Sequence, residues 1–472
     1  MKKTFKKTLC LLLAGSMAFS FVGCSDIKKD TANKIVEDEP VEGNRLQADW
    51  VDTAIMYEVN VRQYTEEGTF DAFSEHLERL KAMGVNSLWF MPIHPISQVH
   101  KKGTLGSYYA VADYKGVNSE FGNLEDFKEL VNKAHEMGFT VILDWVANHT
   151  GWDHVWITEH PEYYTKDEEG NIIHPLGTDW IDVADLDFEN QDMRAAMIDA
   201  MKFWVEEVDV DGFRCDHAHG VPLDFWQEAR TTLDAVKPIY MVAEDGTNSD
   251  SVMNIAFDSN YHFDYYDKLK LATQVPGCGD DLQKYVDREL PYGGFKMNFL
   301  DNHDKNTYDG TLAERFGDEK LGALYTLLFT SEGMPLIYSG NEEDTDISLE
   351  FFEKDNINFG DYKYSEMLTK LCEIKTNYEA LHNGVAGGNA RIITCDNQSI
   401  IAFKRVKNGK QITVIVNMSD SEQKVKYDEK LLEGTILFNG DGNGMSDKIG
   451  TSFKSTSSNT LSAWEYYIIV SE

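Results

Sequence analysis

Basic residues are scarce in this chain. Its 472 residues carry 44 Lys and Arg against 80 Asp and Glu, a formal net charge of −36. Such a surface repels a phosphate backbone, so nucleic acid is excluded as an expected partner and an uncharged ligand suits the balance better. Cysteine is sparse too, with six residues, and Cys215, Cys278, Cys372 and Cys395 lack metal-ligand spacing. They are expected as buried thiols, a single disulfide being the alternative in an oxidising compartment. No apolar run long enough to span a bilayer follows the N-terminal segment. Neither G-x-G-x-x-G nor G-x-x-x-x-G-K-[ST] follows the first strand pattern, which argues against a nucleotide-dependent enzyme on an open sheet, and no organic cofactor is expected. Internal repeats and low-complexity tracts are also missing.

What is present begins with an export signal. Residues 1–23 open with Lys2, Lys3, Lys6 and Lys7, continue through LCLLLAGSMAF and end in small residues before Cys24. The segment FVGC resembles a bacterial lipoprotein cleavage site, with Phe21 in place of the usual Leu, and the resemblance implies a lipid on Cys24. An ordinary secretory signal is the alternative. The polar stretch 24–48 reads as a tether. The mature protein is therefore expected outside the cytoplasm, lipid-anchored to the bacterial cell envelope or surface.

With 42% hydrophobic and 12% aromatic residues, the chain can fill a large core. From about residue 54 short β-branched apolar runs alternate with amphipathic stretches of helical period. The strand candidates are AIMYEVNV, VNSLWFMPI, TVILDWVAN, VDGFRCD, IYMVAED, NIAFD, KMNFLDN and MPLIYSG. TFDAFSEHLERLKAMG and NLEDFKELVNKAHEMG read as helices closed by Gly. Eight such units predict an α/β fold, a (β/α)8 TIM barrel over residues 49–387, with an open doubly wound sheet as the competing topology. A long aperiodic connection over about 149–185 predicts a small excursion domain after the third strand. Alternating runs across 388–472 predict a C-terminal antiparallel β-sandwich.

Barrel enzymes carry their chemistry at the C-terminal ends of the strands. Here the third strand ends in Asp144, Asn148 and His149, the fourth in Arg214 and Asp216, the fifth in Glu244, and the seventh in Asn302, His303 and Asp304. Cleaving an acetal with retention needs one carboxylate to attack the anomeric carbon and another, protonated, to donate to the leaving oxygen. Asp216 and Glu244, on adjacent strands, can divide that work. Arg214, two residues before Asp216, would keep it ionised, whereas Glu244 needs a raised pKa to hold its proton. Asp304 is placed to bind sugar hydroxyls. Of the aromatics near the long connection, Trp145, inside a strand pattern, reads as core. Trp152 and Trp180, in polar loop sequence, are equally readable as packing or as sugar platforms.

From about residue 50 onward the chain resembles the α-amylase family, glycoside hydrolase family thirteen. DWVANHT, GFRCDHAHG, MVAED and FLDNHD are similar to the family's four signatures in order. The resemblance implies Asp216 as nucleophile, Glu244 as acid/base and Asp304 as transition-state stabiliser. Further similarity lies in GSYYAVADYKGVNSEFGNLEDF, ADLDFENQDMR and GMPLIYSGNEE. By the same carry-over Tyr109 would stack on the sugar at the cleavage subsite, and His149 and His303 would hydrogen-bond it. Asn148 matches one ligand of a calcium ion common in relatives, with Asp153, Asp179, Asp182 and Asp185 as further oxygen donors in the long loop. The chain departs from the family where His219 and Gly220 replace a Lys-His pair, where His217 replaces a small or aliphatic residue, and where Asp245 replaces an aromatic. These changes bear on specificity and pH optimum.

The resemblance implies a retaining glycosidase acting on α-1,4 bonds of starch or maltooligosaccharides. Alternatives in the same family are an α-1,6-glucosidase, a cyclomaltodextrinase or neopullulanase, and a glucan transferase. The alternative of another class is a starch-capturing surface protein without catalysis.

Overall fold

The computed structural model describes residues 47–472 except 247–249, 254–255, 287–289, 291–292, 344, 346 and 430. The signal, Cys24 and the tether up to residue 46 lie outside the described residues. Eight parallel strands close into a barrel in which each pairs with its neighbours in sequence. They are β1 (Met56–Val59), β2 (Ser87–Phe90), β3 (Thr140–Trp145), β4 (Gly212–Cys215), β5 (Tyr240–Ala243), β6 (Ser259–Tyr261), β7 (Phe295–Phe299) and β8 (Met334–Tyr338). Closure comes from β1 pairing with β8, Met56 opposite Leu336. The doubly wound alternative is thereby removed.

Local chemistry explains the crossovers. The helix Leu124–Glu136 is capped by Asn123 in a reciprocal box with Asp126, and it buries Phe127, Leu130, Val131 and Ala134. That spacing of three and four residues forms one apolar stripe against the barrel. The stretch 69–84 differs from the single helix expected. It forms Phe70–Ser74 and Leu77–Met83, because the His76 N–H bonds three residues back to Phe73 and tightens the turn. The first two residues of NIAFD lie outside the described residues, and the sixth strand begins directly after its last residue, as Ser259–Tyr261. Those buried polar residues are held by partners such as Tyr240, whose hydroxyl meets that of Ser259 at 2.6 Å.

The excursion after β3 is tied at its base by an antiparallel ribbon, His149–Gly151 against Val183–Asp185. After the last barrel helix, Ser365–Asn377, a sheet whose long strands are Ile400–Lys407, Lys410–Asn417, Glu433–Asp441 and Tyr466–Ser471 is partly covered by a two-stranded layer, Gln423–Val425 with Asn459–Leu461. A small second core fills the space between them, including Ile400, Ile415, Leu461 and Ile469. The four cysteines Cys215, Cys278, Cys372 and Cys395 are all free thiols. Cys278 and Cys395 are only half-buried, against the expectation of four buried ones.

Arg405 fastens this sheet to the barrel, and Lys375 secures the segment that leads into it. Arg405 donates to the carbonyls of Gly388, Thr330, Ser331 and His382 at 2.7–3.1 Å. Lys375 donates to those of Gly333 and Leu381. Burial depresses the Lys375 ammonium well below its ordinary range and the Arg405 guanidinium to about 10. Replacing Arg405 by Met would orphan several buried carbonyls, and unfolding in urea is expected to show a loss of roughly 3–5 kcal/mol.

Candidate active site

The C-terminal ends of the strands converge on Arg214, which is fully buried. In the parallel register Arg214 sits opposite Asp144. Its Nη1 donates to Asp144 Oδ1 and Asp216 Oδ1, both at 2.9 Å. Nη2 lies 2.9 Å from Glu244 Oε1, and Nε donates to the Tyr261 hydroxyl at 3.2 Å. One planar fork therefore sets the spacing of three carboxylates. Asp216 and Glu244, expected as a catalytic pair, are held by its two nitrogens.

The other expected residues surround this fork. Tyr109 donates its hydroxyl to Asp144 Oδ2 at 2.9 Å and meets His303 Nε2 at 2.8 Å, with its ring stacked against that imidazole. Asp304 lies in the first turn of the helix His303–Asp309, and its carboxylate lies 3.6 Å from His303 Nε2. His149 is buried against Trp180, and burial together with His217 lowers its pKa to about 3, so it is neutral. Tyr109, His149, Asp216, Glu244, His303 and Asp304 all line one cavity of about 690 Å³. Arg214 lies beneath it. That volume is within the range of small-ligand sites.

Trp180 also lines the cavity, whereas Trp145 is core, as expected. Trp152 packs on His100 and donates its ring N–H to the Ile181 carbonyl. Asn148, the candidate calcium ligand, has its amide nitrogen 3.3 Å from His149 Nδ1. The donors expected around it are engaged elsewhere: Asp153 accepts from the Gln98 N–H, and Asp182 pairs with Lys102. No group of three or more His, Cys, Asp or Glu side chains able to hold a metal ion occurs among the described residues. No step below uses a metal ion.

The electrostatics reverse one expectation. Burial and the Glu244 charge push the Asp216 carboxyl well above the usual carboxylate range, against the pull of Arg214. Burial would raise Glu244 as well, but Arg214 and the His217 N–H, which donates to Glu244 Oε2 at 2.9 Å, hold it below that range. The reason is geometric: Arg214 reaches both carboxylates instead of serving Asp216 alone. Two carboxylates on one guanidinium titrate as a pair.

The departures at 217, 219, 220 and 245 form one arrangement. His217 adopts the left-handed conformation, φ 44°, which aims its N–H at Glu244. Its ring packs edge-on against Trp180 and lies close to His219. A Cβ at Gly220 would come within 2.4 Å of the His217 ring, so a side chain there would displace it. Asp245 is buried below, 3.9 Å from His219 Nδ1.

Sequence reasoning missed Glu58. This β1 residue is fully buried and accepts from His303 Nδ1 at 2.5 Å. Its signal was a lone carboxylate inside the apolar run AIMYEVNV. Burial lifts Glu58 to about 7, with His303 opposing. Burial disfavours the His303 cation, yet Asp304 and Glu58 raise it to about 9. A protonated His303 donates to Glu58 and to Tyr109, whose own O–H donates to Asp144. Tyr261, Phe351 and Tyr308 were missed too, since nothing in their local pattern marks them.

Fold and site together define a retaining glycosidase of the (β/α)8-barrel class. The chain belongs to the alpha-amylase family: the model of the alpha-amylase catalytic domain matches residues 29–174 and 175–358. It is 28% identical to alpha-amylase 3 of Dictyoglomus thermophilum, over 82% of this chain and 89% of that protein. It is 25% identical to a cyclomaltodextrinase of Thermoanaerobacter pseudethanolicus, over 78% and 68% respectively. Among solved structures, a noncanonic maltogenic alpha-amylase from Thermotoga neapolitana superposes with TM-score 0.78 at 29% identity, covering 89% of this chain and all of that one. An alpha-amylase from Lactobacillus plantarum gives 0.76 at 31% identity, covering 89% and 99%.

Both shifts in the Glu58–His303 pair are upward, so the folded state binds the extra protons and stability falls as pH rises. Glu58 loses its contribution between its unfolded value of 4.5 and about 7. His303 loses its own between 6.5 and about 9. In Glu58→Gln the melting temperature is expected to fall less than in the wild type between pH 6.5 and 9. The variant's kcat is expected to drop about 10- to 100-fold, the scale of one hydrogen bond to a charged group.

Proposed function

We propose that the protein hydrolyses α-1,4-glucosidic bonds of starch and maltooligosaccharides with retention, through a covalent glycosyl ester on Asp216. The observation that carries this reading is the pair Asp216 and Glu244 on one buried guanidinium beneath an aromatic-lined cavity. In the first step Asp216 attacks the anomeric carbon while Glu244 protonates the departing oxygen. Asp216 attacks as the ionised member of the pair and Glu244 acts as the protonated one, so the single proton passes from Glu244 to the departing oxygen and leaves Glu244 as the carboxylate. In the second step Glu244 takes a proton from water, whose oxygen attacks the same carbon and releases Asp216. Asp304 and His303 hold the ring's hydroxyls, and Tyr109 stacks on it.

The proposal extends to where this happens. The basic start, apolar run and FVGC support export and lipid attachment at Cys24, placing the enzyme on the cell envelope where α-glucan is encountered. A Cys24→Ala variant is expected to appear in the medium or remain unprocessed, without incorporating labelled fatty acid.

Maltoheptaose and soluble starch incubated with the purified protein are expected to yield products whose new reducing ends appear first as α-anomers by NMR. Asp216→Asn is expected to lose at least about a thousandfold in kcat, the scale seen when a nucleophile is removed. Initial β-anomers would sink the double displacement, and glucan binding without cleavage would favour a capture protein.

A further inference from the structure

Three loops and one helix around the cavity are laced to each other. In the helix after β7, Asn306 Oδ1 accepts from the Leu349 N–H and Thr307 Oγ1 donates to the Leu349 carbonyl, both in the loop that follows β8. That loop in turn holds the segment 98–106: the Leu105 N–H donates to the Phe352 carbonyl, and the Thr104 N–H to Glu353 Oε1 at 2.9 Å. Gly103, at φ 62°, makes the close approach possible, since a Cβ there would come within 2.4 Å of Phe352 Cβ. The same segment then reaches the excursion domain. Lys102 Nζ pairs with Asp182 Oδ1 at 2.9 Å and donates to the Asp179 carbonyl, while the Gln98 N–H donates to Asp153. Tyr308, its ring 6.0 Å from Phe351, lies close enough to Asp179 and Asp182 to feel their charge. The rim is therefore continuous from Asp304 past Tyr109 to Trp180.

The opposite rim differs. It carries His219, Gly246 and Phe263, and among the described residues a Cβ built on Gly246 would meet His219 alone, at 3.9 Å. The chemistry assigns direction to this asymmetry. Glu244 gives its proton to the leaving oxygen, so the reducing-end part of the chain lies over Glu244 and His217, toward the rim that carries His219 and Phe263. The glycosyl unit transferred to Asp216, and everything on its non-reducing side, lies toward Phe351, Phe352 and Lys102.

We propose that the laced rim closes the non-reducing side of the cleft, so that the enzyme works from chain ends and releases short products of fixed length, with the Lys102–Asp182 ion pair as the specificity-determining contact. The inference rests on the hydrolase reading above. It deepens that reading by fixing the mode of attack.

The test uses 4-nitrophenyl α-maltoheptaoside with the terminal non-reducing glucose either free or capped by a 4,6-O-ethylidene group. The wild-type enzyme is expected to cleave the capped substrate at least tenfold more slowly than the free one, and to release one dominant short product from the latter. Lys102→Ala and Asp182→Asn, each checked for an intact melting transition, are expected to raise the capped-to-free ratio at least threefold. Equal wild-type rates on the two substrates would overturn the closed end while leaving the hydrolase reading intact. Wild-type discrimination retained in full by both variants would overturn the role of the ion pair. Failure to cleave the free substrate would instead remove the hydrolase reading, and this inference with it.

Discussion

A single guanidinium, taken wholly out of water, organises the catalytic centre. Burying Arg214 is tolerable only because Asp144, Asp216, Glu244 and the Tyr261 hydroxyl surround it. Conversely, three carboxylates could not be gathered at one barrel mouth without a cation among them. Because a guanidinium is planar and forked, it fixes direction as well as charge. It thus links stability to chemistry: the contacts that make its burial possible also space Asp216 from Glu244 and couple their titration.

A second polar line runs from Glu58 through His303 and Tyr109 to Asp144, and so back to Arg214. It crosses the barrel mouth from β1 to β3 and orients the two residues that face a sugar ring. Away from the site the fold uses buried cations differently. Arg405, surrounded by carbonyl oxygens, joins sheet to barrel, and Lys375 ties the last barrel helix to the carbonyls of Gly333 and Leu381. Arg230, paired with Asp258 and Asp234, secures the approach to β6. In each case the cation collects acceptors from several chain segments, which apolar packing alone would leave orphaned.

Specificity is built in the loops. His217 carries backbone strain, typically of order 1–3 kcal/mol for a residue held in the left-handed region, and it aims an N–H at Glu244. Gly220 leaves room for its ring, and Trp180 of the excursion domain packs against it. The departures from the family signature are therefore coupled through contact. On the other side, Phe351, Phe352 and Lys102 shape the cavity through bonds between loops far apart in sequence.

What the sequence determined by itself follows from local periodicity and composition. The βα alternation, the acidic residues directly after apolar runs, and the extent of the excursion are short-range patterns, written within a few residues of where they act. Trp145 could be read as core because a strand pattern enclosed it. Glu58 was nearly legible, as a carboxylate with no solvent-facing turn to occupy. NIAFD misled because an apolar run was taken for a strand, when β6 is made of polar residues buried among partners from β5 and beyond. Only the tertiary structure decided which carboxylate Arg214 would favour, that His303 stands on Glu58, and that Lys102 meets Asp182. These are contacts between segments roughly 30 to 250 residues apart. Their energies depend on the distance and dielectric that barrel closure creates, quantities that local sequence does not carry.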